Sequence, residues 1–514
     1  MAEARVLSDS LGDLIATGLA HVGDSPAAAL LRYAAPNREP PRPRRVFVNR
    51  TLRMETIRYI GFDLDWTLAA YHRVPIQQLT FERALERLVE RRGYPEVIRS
   101  AEFRPDFTQR GLLIDKLAGT VLKMDRHRYV GRAYLGRHRL DPDERNRLYR
   151  DERIDLGRAR FYYVDTLFDL PEVNLFAELV EIWRRNPEVF RPMSHMQLFQ
   201  DVRDSVDSLH AETDFKNYIL SNLSTFLPKD PELALSLKRL AMNERKLLLI
   251  TNSEWYYTKG VCSYLFDGVL PGLDSWRDLF DLVVVKAEKP AFFRQKRPFV
   301  AIDEHGKRLE EVEVPKWGGV FEGGCLDGLS ELLSCVGEQV LYVGDHIYSD
   351  IRSTKVSSTW RTALVVSELE EELQQRGELS TSIAHLRVLN AEVADLGRRR
   401  DDVRDVLALC AALSGDGVPV ASEVEARARR LLDDLRLEHR ALRERAASLD
   451  EFITRHWNPT WGSVFKQGRS KSLFGGQVDE FACLYTSRVS NFVNYGSHHY
   501  FRVMTDPMTH ELVD

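Results

Sequence analysis

Four short stretches of this chain carry polar groups whose types and spacing suit chemistry. "YIGFDLDWTLAAY" (59–71) supplies Asp63, Asp65 and Thr67; "TNS" (251–253) supplies Thr251 and Asn252; "KAEKPAFF" (286–293) supplies Lys289; and "GDHIYSD" (344–350) supplies Asp345 and Asp350. Each has an ordinary reading when taken singly. A D-x-D can be a surface turn, a metal ligand pair or a proton relay, and T-N-S after an apolar run can be a helix N-cap. A lysine before proline can be solvated, and an aspartate after glycine can be a turn residue. Together they suit phosphoryl transfer. A carboxylate can attack phosphorus to form an aspartyl-phosphate, and a second carboxylate two residues on can protonate the leaving oxygen and then deprotonate water. The Thr251 hydroxyl, backbone N–H groups at Thr251 and Asn252, and the Lys289 ammonium can cradle phosphoryl oxygens. Asp345 can join Asp63 in holding Mg²⁺, a hard cation that prefers oxygen ligands.

The elements that would position these groups are legible as short apolar runs. "IRYIGFD" (57–63), "KLLLIT" (246–251), "DLVVVK" (281–286), "QVLYVG" (339–344) and "RTALVV" (361–366) read as buried strands. Apolar on both faces and widely separated, they predict an α/β fold with a parallel sheet and helical crossovers. The four polar stretches then fall at carboxyl ends of strands, where ligands of such sheets collect. Residues 64–245 are far more than one crossover needs, so they contain an insertion. Patterns such as "NLFAELVEIWRR" (174–185) make it largely α-helical.

The expected organisation has six parts: an N-terminal arm and linker (1–45), a first core part (46–105), a helical cap insertion (106–235), a second core part (236–366), a long helical hairpin (367–452) and a C-terminal segment packing on the core (453–514). The arm could hold one or two short helices before the extended "PNREPPRPRR" (36–45). The hairpin, turning at "SGDGVPV" (414–420), reads as a solvated helical pair or a self-association surface.

A net charge of −5 gives no electrostatic case for nucleic-acid or membrane-surface binding. The five cysteines never form a C-x-x-C pair and read as reduced thiols, arguing against a disulfide frame or zinc site. No apolar run is long enough to span a bilayer, and the first residues make a poor targeting peptide, so the expected location is cytoplasmic.

The four motifs resemble those of the haloacid dehalogenase (HAD) superfamily, and longer stretches resemble its cytosolic purine 5′-nucleotidase family, which prefers IMP and GMP. Those stretches include "RVFVNRTLRMETIRYIGFDLDWTLAAY" (45–71), "GLLIDKLAGTVLKMD" (111–125), "FYYVDTLFDLPE" (161–172), "LFQDVRDSVDSLH" (198–210), "ITNSEWYYT" (250–258), "LYVGDHIYSDI" (341–351) and "WGSVFKQGRSKSLFGGQV" (461–478). The resemblance implies a HAD-like core with a largely helical cap and hydrolysis of purine nucleoside 5′-monophosphates. It also implies phosphoryl transfer to another nucleoside when that outcompetes water, and a homotetramer. By it Asp63 is the nucleophile and Asp65 the acid/base; Asp63, the Asp65 backbone carbonyl and Asp345 hold Mg²⁺, supported by Asp350; and Thr251, Asn252 and Lys289 bind phosphate.

The resemblance further implies that Phe168 stacks on the base and that Asp169, Arg203, Asp207, His210 and Lys216 handle the nucleotide. Read without it, Arg203, Asp207 and His210 (i, i+4, i+7) form a salt-bridged surface face of one helix, and Phe168 is core packing. Three departures stand out: Asp169 replaces an asparagine of the family pattern, Lys286 replaces an acid of the third motif, and the chain end "MTHELVD" (508–514) has no acidic run. A HAD phosphatase for another small phosphomonoester and a non-catalytic scaffold built on the hairpin are the rival readings.

Overall fold

The computed structural model describes residues 39–190, 193–415 and 422–503. The short helices expected within 1–35, part of the linker, most of the hairpin turn and the chain end lie outside them. The chain enters its main sheet at β1 (Phe47–Val48) and β2 (Tyr59–Phe62), followed by helix α1 (Arg73–Arg92). An antiparallel sheet comes next: β3 (Leu112–Asp115), β4 (Thr120–Met124), β5 (Val130–Leu135), β6 (His138–Arg139) and β7 (Phe161–Tyr163). Helices α2 (Leu170–Arg185), α3 (His195–Ala211) and α4 (Thr213–Ser221) follow, with shorter helices at Pro142–Tyr149, Leu223–Phe226 and Pro231–Ala241. The chain returns to the main sheet at β8 (Lys246–Ile250), followed by helix α5 (Trp255–Phe266). It continues with β9 (Leu282–Val285), β10 (Phe299–Ile302), β11 (Arg308–Val312), β12 (Val320–Gly323), β13 (Val340–Gly344) and β14 (Arg361–Val365). Two long helices, α6 (Ser380–Gly415) and α7 (Ser422–Trp457), precede a last strand, β15 (Leu484–Thr486).

The main sheet runs β1-β15-β14-β13-β2-β8-β9-β12-β10-β11. All five strands read from the sequence are in it and pair in parallel, as their two-sided burial requires. Antiparallel partners appear only towards the two edges. Chain order departs from β2 in two directions, through β8 and β9 on one side and β13 and β14 on the other. The boundary between β2 and β13 is therefore the topological switch point, where such sheets leave a crevice at their carboxyl ends.

The insertion is less purely helical than expected, because β3–β7 form a five-stranded antiparallel sheet in the order β6-β5-β4-β3-β7. Its strands bury charged groups, among them Asp115, Lys123 and Arg132. Asp115 is held by Arg160 (2.7 Å) and the Tyr149 hydroxyl (3.0 Å). Buried charges erase the apolar–polar alternation by which a half-buried strand is read.

Residues Glu372–Ser463 form a compact unit of their own. Within it α6 and α7 meet along a seam of Leu389, Leu396 and Cys410 from one helix and Ala428, Leu432, Leu435, Ala446 and Ile453 from the other. The seven-residue steps are those of a two-stranded coiled coil. His456 near the end of α7 contacts Glu378 just before α6 (3.1 Å), so the helices run antiparallel.

In the first unit, Arg110 precedes β3 and is fully buried. Its Nε and Nη2 donate to Glu368 (2.9 and 2.5 Å) and its Nη1 donates to the Asp345 carbonyl (2.9 Å). Burial pushes the Glu368 carboxyl up, but Arg110 more than offsets this and holds it below the usual range. Arg110→Met is expected to lower stability by about 3–5 kcal/mol, since it leaves a buried carboxylate unpaired. Arg110→Met/Glu368→Leu is expected to regain most of that loss, with urea midpoints as the measure.

Candidate active site

Four neighbouring strands, β13, β2, β8 and β9, bring the sequence-predicted groups to one rim. Asp63 follows β2, and its backbone N–H donates to the Val343 carbonyl of β13 (2.9 Å). The chain then closes a tight loop. The Leu64 carbonyl accepts from the N–H groups of Thr67, Leu68 and Ala69, and Trp66 N–H donates to Ala69 O. Trp66 sits at φ +57°, a left-handed conformation costly for a bulky residue. Its ring packs against Tyr71 and Phe168 (centroids 5.3 and 6.1 Å apart).

Lys289 is the electrostatic centre. Its Nζ pairs with Asp63 Oδ1 (2.9 Å) and Asp350 Oδ1 (2.8 Å), and donates to the Tyr342 hydroxyl (3.0 Å). Burial pulls its pKa down, but Asp350 and Asp63 overcome this and hold it well above the ordinary lysine value. Burial likewise pushes Asp63 up to about 7, with Asp350 and Asp65 adding to the rise and Lys289 opposing it. Asp345 is pushed well above the carboxylate range by burial, then by Asp350 and Asp63.

Asp63, Asp345 and Asp350 each offer a carboxylate oxygen within 4.8 Å of the others. When all three are ionised, one ammonium leaves two negative charges uncompensated, and Asp345 Oδ2 is buried with no hydrogen-bond partner. Clustered oxygen donors, a charge deficit of two and an orphaned acceptor fit a hard divalent cation.

The ends of β8 and β9 are zipped together. Lys286 and Ala287 N–H donate to the Ser253 and Thr251 carbonyls (both 3.0 Å). The Asn252 amide accepts from Lys289 N–H (2.7 Å) and donates to Lys289 O (3.0 Å). The Asn252 side chain is thus committed to Lys289, and the Thr251 hydroxyl accepts from Ser253 N–H (3.1 Å). Lys286 and Glu288 both take positive φ here (+45° and +55°). Lys286 pairs outward with Glu322 (3.0 Å).

Beside the carboxylates lies a cavity of about 290 Å³ lined by Asp65, Asn252, Ser253, Phe168, His210, Lys216 and other, mostly apolar or aromatic, residues. The Phe168 ring is partly exposed and meets His210 edge-on (5.6 Å). His210 Nε2 is buried without a partner. Burial, then the Lys216 ammonium, depresses His210 to about 4. Lys216 is paired with Glu254.

Asp169, Arg203 and Asp207 do not line this cavity. Arg203 is drawn to the buried Glu172 (3.4 Å) and lies over the Tyr162 ring (4.4 Å). Asp169 accepts from the Tyr162 hydroxyl (2.7 Å), and Asp207 is exposed, 3.7 Å from Arg203. The face shared by Arg203, Asp207 and His210 therefore divides: His210 turns to the cavity and the other two to an ion-pair cluster.

Sequence reasoning missed Tyr71 and Tyr257, which line the cavity, and Ser253, named only as part of a cap. Tyr71 stands inside the D-x-D stretch and Tyr257 inside "ITNSEWYYT", so both were in view without a role. Arg110 and Glu368 carry no local signal, since they meet across 258 positions of sequence.

A parallel sheet with a D-x-D at its switch point, a lysine two strands away and a cluster of three carboxylates is the layout of the HAD hydrolases. A family model described as the 5′ nucleotidase family matches residues 46–513. The chain belongs to that family, the cytosolic 5′-nucleotidase branch of the HAD superfamily, whose members are phosphoric monoester hydrolases. A 5′-nucleotidase domain-containing protein of Dictyostelium discoideum is 28% identical over 464 residues, covering 88% of this chain and 72% of the relative. None of the described helices is long and apolar enough to cross a membrane.

Because His210 in the folded state lies below the 6.5 of a free histidine, the unfolded chain takes up the proton first. Stability present above pH 6.5 is therefore lost as pH falls toward 4. His210→Gln is expected to flatten this acid limb by about 1–2 kcal/mol, read as urea midpoints across the same pH window.

Proposed function

We propose that the protein is a Mg²⁺-dependent 5′-nucleotidase that hydrolyses purine nucleoside 5′-monophosphates, IMP and GMP and their deoxy forms. The observation that carries this reading is the adjacency of the Asp63–Lys289–Asp345 cluster to a cavity lined by aromatic rings and an uncharged histidine. A phosphate at the cluster leaves its nucleoside in the cavity, where Phe168 offers a face for a base. His210, neutral and with a free Nε2, offers a hydrogen bond that does not demand a charged partner.

In this reading a carboxylate oxygen of Asp63 attacks phosphorus as the P–O bond to the nucleoside breaks. The bonding pair goes to the leaving 5′ oxygen, which takes a proton from Asp65. Water then attacks the aspartyl-phosphate and gives its proton to Asp65. The P–O bond to Asp63 breaks, releasing phosphate and restoring both carboxyl groups. Lys289 offsets charge on Asp63 and on the phosphoryl oxygens, and backbone N–H groups after β8 add donors. Mg²⁺ held by Asp63 and Asp345, with the Asp65 carbonyl and with Asp350 in support, would supply charge neutralisation and orientation. Asp169, Arg203, Asp207 and Lys216 act as a charged frame around the nucleotide site rather than as a row of base contacts. When a second nucleoside outcompetes water for the aspartyl-phosphate, its hydroxyl receives the phosphoryl group. Cytoplasmic location and assembly into homo-oligomers complete the proposal.

Phosphate release across the nucleoside monophosphates, with Mg²⁺ and with EDTA, is the test. IMP and GMP are expected to turn over faster than p-nitrophenyl phosphate and to need the cation, and Asp63→Asn is expected to lose at least about 10³-fold in kcat. Purine nucleotides turning over no faster than the aryl ester would overturn the substrate assignment and favour a HAD phosphatase of other specificity. Unchanged turnover in Asp63→Asn would overturn the site itself.

A further inference from the structure

Asp65 has both carboxylate oxygens engaged by side chains from two other parts of the chain. The Tyr71 hydroxyl, from the segment leading into α1, donates to Oδ1 (2.6 Å). The Ser253 hydroxyl, just after β8, donates to Oδ2 (2.5 Å). Behind Tyr71 stands Tyr257 in the first turn of α5, with the two phenol oxygens 2.9 Å apart. Both tyrosines are buried, yet both reach the wall of the cavity. Since Tyr71 has a single proton and commits it to Asp65, Tyr257 must be the donor in the second bond. A hydrogen bond received by Tyr71 strengthens the one it gives.

We propose that Tyr71, backed by Tyr257, and Ser253 form a two-sided cradle that fixes the plane of the Asp65 carboxyl group for proton delivery to the leaving oxygen. The inference rests on the proposed function and deepens it. A carboxyl held by one hydrogen bond can still swing about its terminal torsion, which is broad and soft. One held at both oxygens cannot, and the proton is presented in one direction. The cradle also serves both halves of the reaction without heavy-atom movement. Each oxygen of Asp65 keeps a second lone pair, so the proton it delivers can sit there, facing the leaving oxygen, while Tyr71 and Ser253 go on donating. Tyr71, Tyr257 and Ser253 are positioning residues in this account, acting through Asp65.

The consequence is selective for the leaving group. A nucleoside leaves as an alkoxide unless it receives a proton as the P–O bond breaks, whereas p-nitrophenolate departs unprotonated. Weakening the cradle should slow release of the first more than that of the second. In Tyr71→Phe, first-turnover nucleoside formation from IMP, followed by rapid quench, is expected to fall about 10- to 100-fold. The burst rate of p-nitrophenolate from p-nitrophenyl phosphate is expected to fall about tenfold less than that, because its leaving group needs no proton. Ser253→Ala is expected to show the same selectivity, and Tyr257→Phe a weaker form of it.

Equal slowing with both esters would mean that Tyr71 and Ser253 merely hold the fold, and would overturn the proposal. So would unchanged inosine release in both variants. If Tyr71→Phe does not fold, Ser253→Ala decides the matter by the same comparison. The wild-type enzyme separates this proposal from the one beneath it. A wild type that cleaves p-nitrophenyl phosphate but not IMP overturns the nucleotidase reading. In that case β-glycerophosphate, also an alkyl ester, replaces IMP in the leaving-group comparison and the cradle stands or falls on that result.

Discussion

Everything at this rim depends on one buried ammonium. Lys289 lies between Asp63 and Asp350, and without it three carboxylates would share a pocket that water hardly enters. Like charges at such spacing repel strongly where the local dielectric is low, and each carries a desolvation cost besides. The surrounding architecture is arranged to keep that cation in place. Tyr342 accepts from Lys289 and donates to the Ile250 carbonyl (3.2 Å). Its ring lies so close to β2 that a Cβ on Gly61 would meet it at 2.8 Å, so the strand carries a glycine there. Gly344 plays the same part for Asp350, whose carboxyl would lie 2.6 Å from any added Cβ. The Asn252 amide then grips the Lys289 backbone from both sides. The two left-handed residues before Lys289 show the same priority, with backbone strain accepted so that the ammonium points at the carboxylates.

The lysine cancels only part of the charge. What remains when all three are ionised, two net negative charges and an unpartnered Asp345 oxygen, lets one cluster serve as cation site and nucleophile's environment in the proposed mechanism. Burial pushes both Asp63 and Asp345 up, and a protonated carboxyl is a poor nucleophile and a poor ligand, so a cation that favours the charged forms works against that rise. Arg110 relieves this only in part: it pulls Asp345 down, but burial and the neighbouring carboxylates win, and its guanidinium is paired with Glu368. Its contribution is to position: it ties the start of the capping insertion and the residue opening the 368–378 helix to the loop that carries Asp345.

How legible this was in the sequence follows from how local each signal is. A strand buried on both faces announces itself in four or five consecutive apolar residues, so β2, β8, β9, β13 and β14 could be read directly. Asp63 and Asp65 alone could not be told from a loop; their reading came from Thr251, Lys289 and Asp345 arriving at later strand ends, a non-local coincidence that the parallel topology makes meaningful. Tyr71 and Tyr257 stayed silent because an aromatic beside a strand is usually core, and their meeting over Asp65 exists only once α5 packs beside the D-x-D loop. Arg110 and Glu368 look like surface residues by type. The insertion's sheet was hidden by the charges that its own strands bury and pair.

Asp169 shows how a residue can be rightly singled out as unusual while its consequence lies elsewhere. The family pattern has an amide there, which suggests an altered contact with the base. In the structure Asp169 faces Tyr162, and with Glu172 it forms a buried pair of acids that Arg203 must serve. Arg203, with the His346 ring acting on Asp169, offsets their repulsion and burial only in part. Burial, then the neighbouring Asp165, pushes Asp169 up to about 6, and Glu172 rises well above its ordinary value through burial and then Asp169. An asparagine at 169 could still accept from Tyr162 but would bring no second charge. The exchange therefore changes the proton count of this cluster, and the hold of Glu172 on Arg203, before it changes any contact in the cavity. Phe168, one residue earlier, projects into that cavity from the same turn. In the proposed nucleotide site, the route from residue 169 to a bound base runs through the placement of a neighbouring ring and of Arg203, a matter of electrostatics in the wall behind the site.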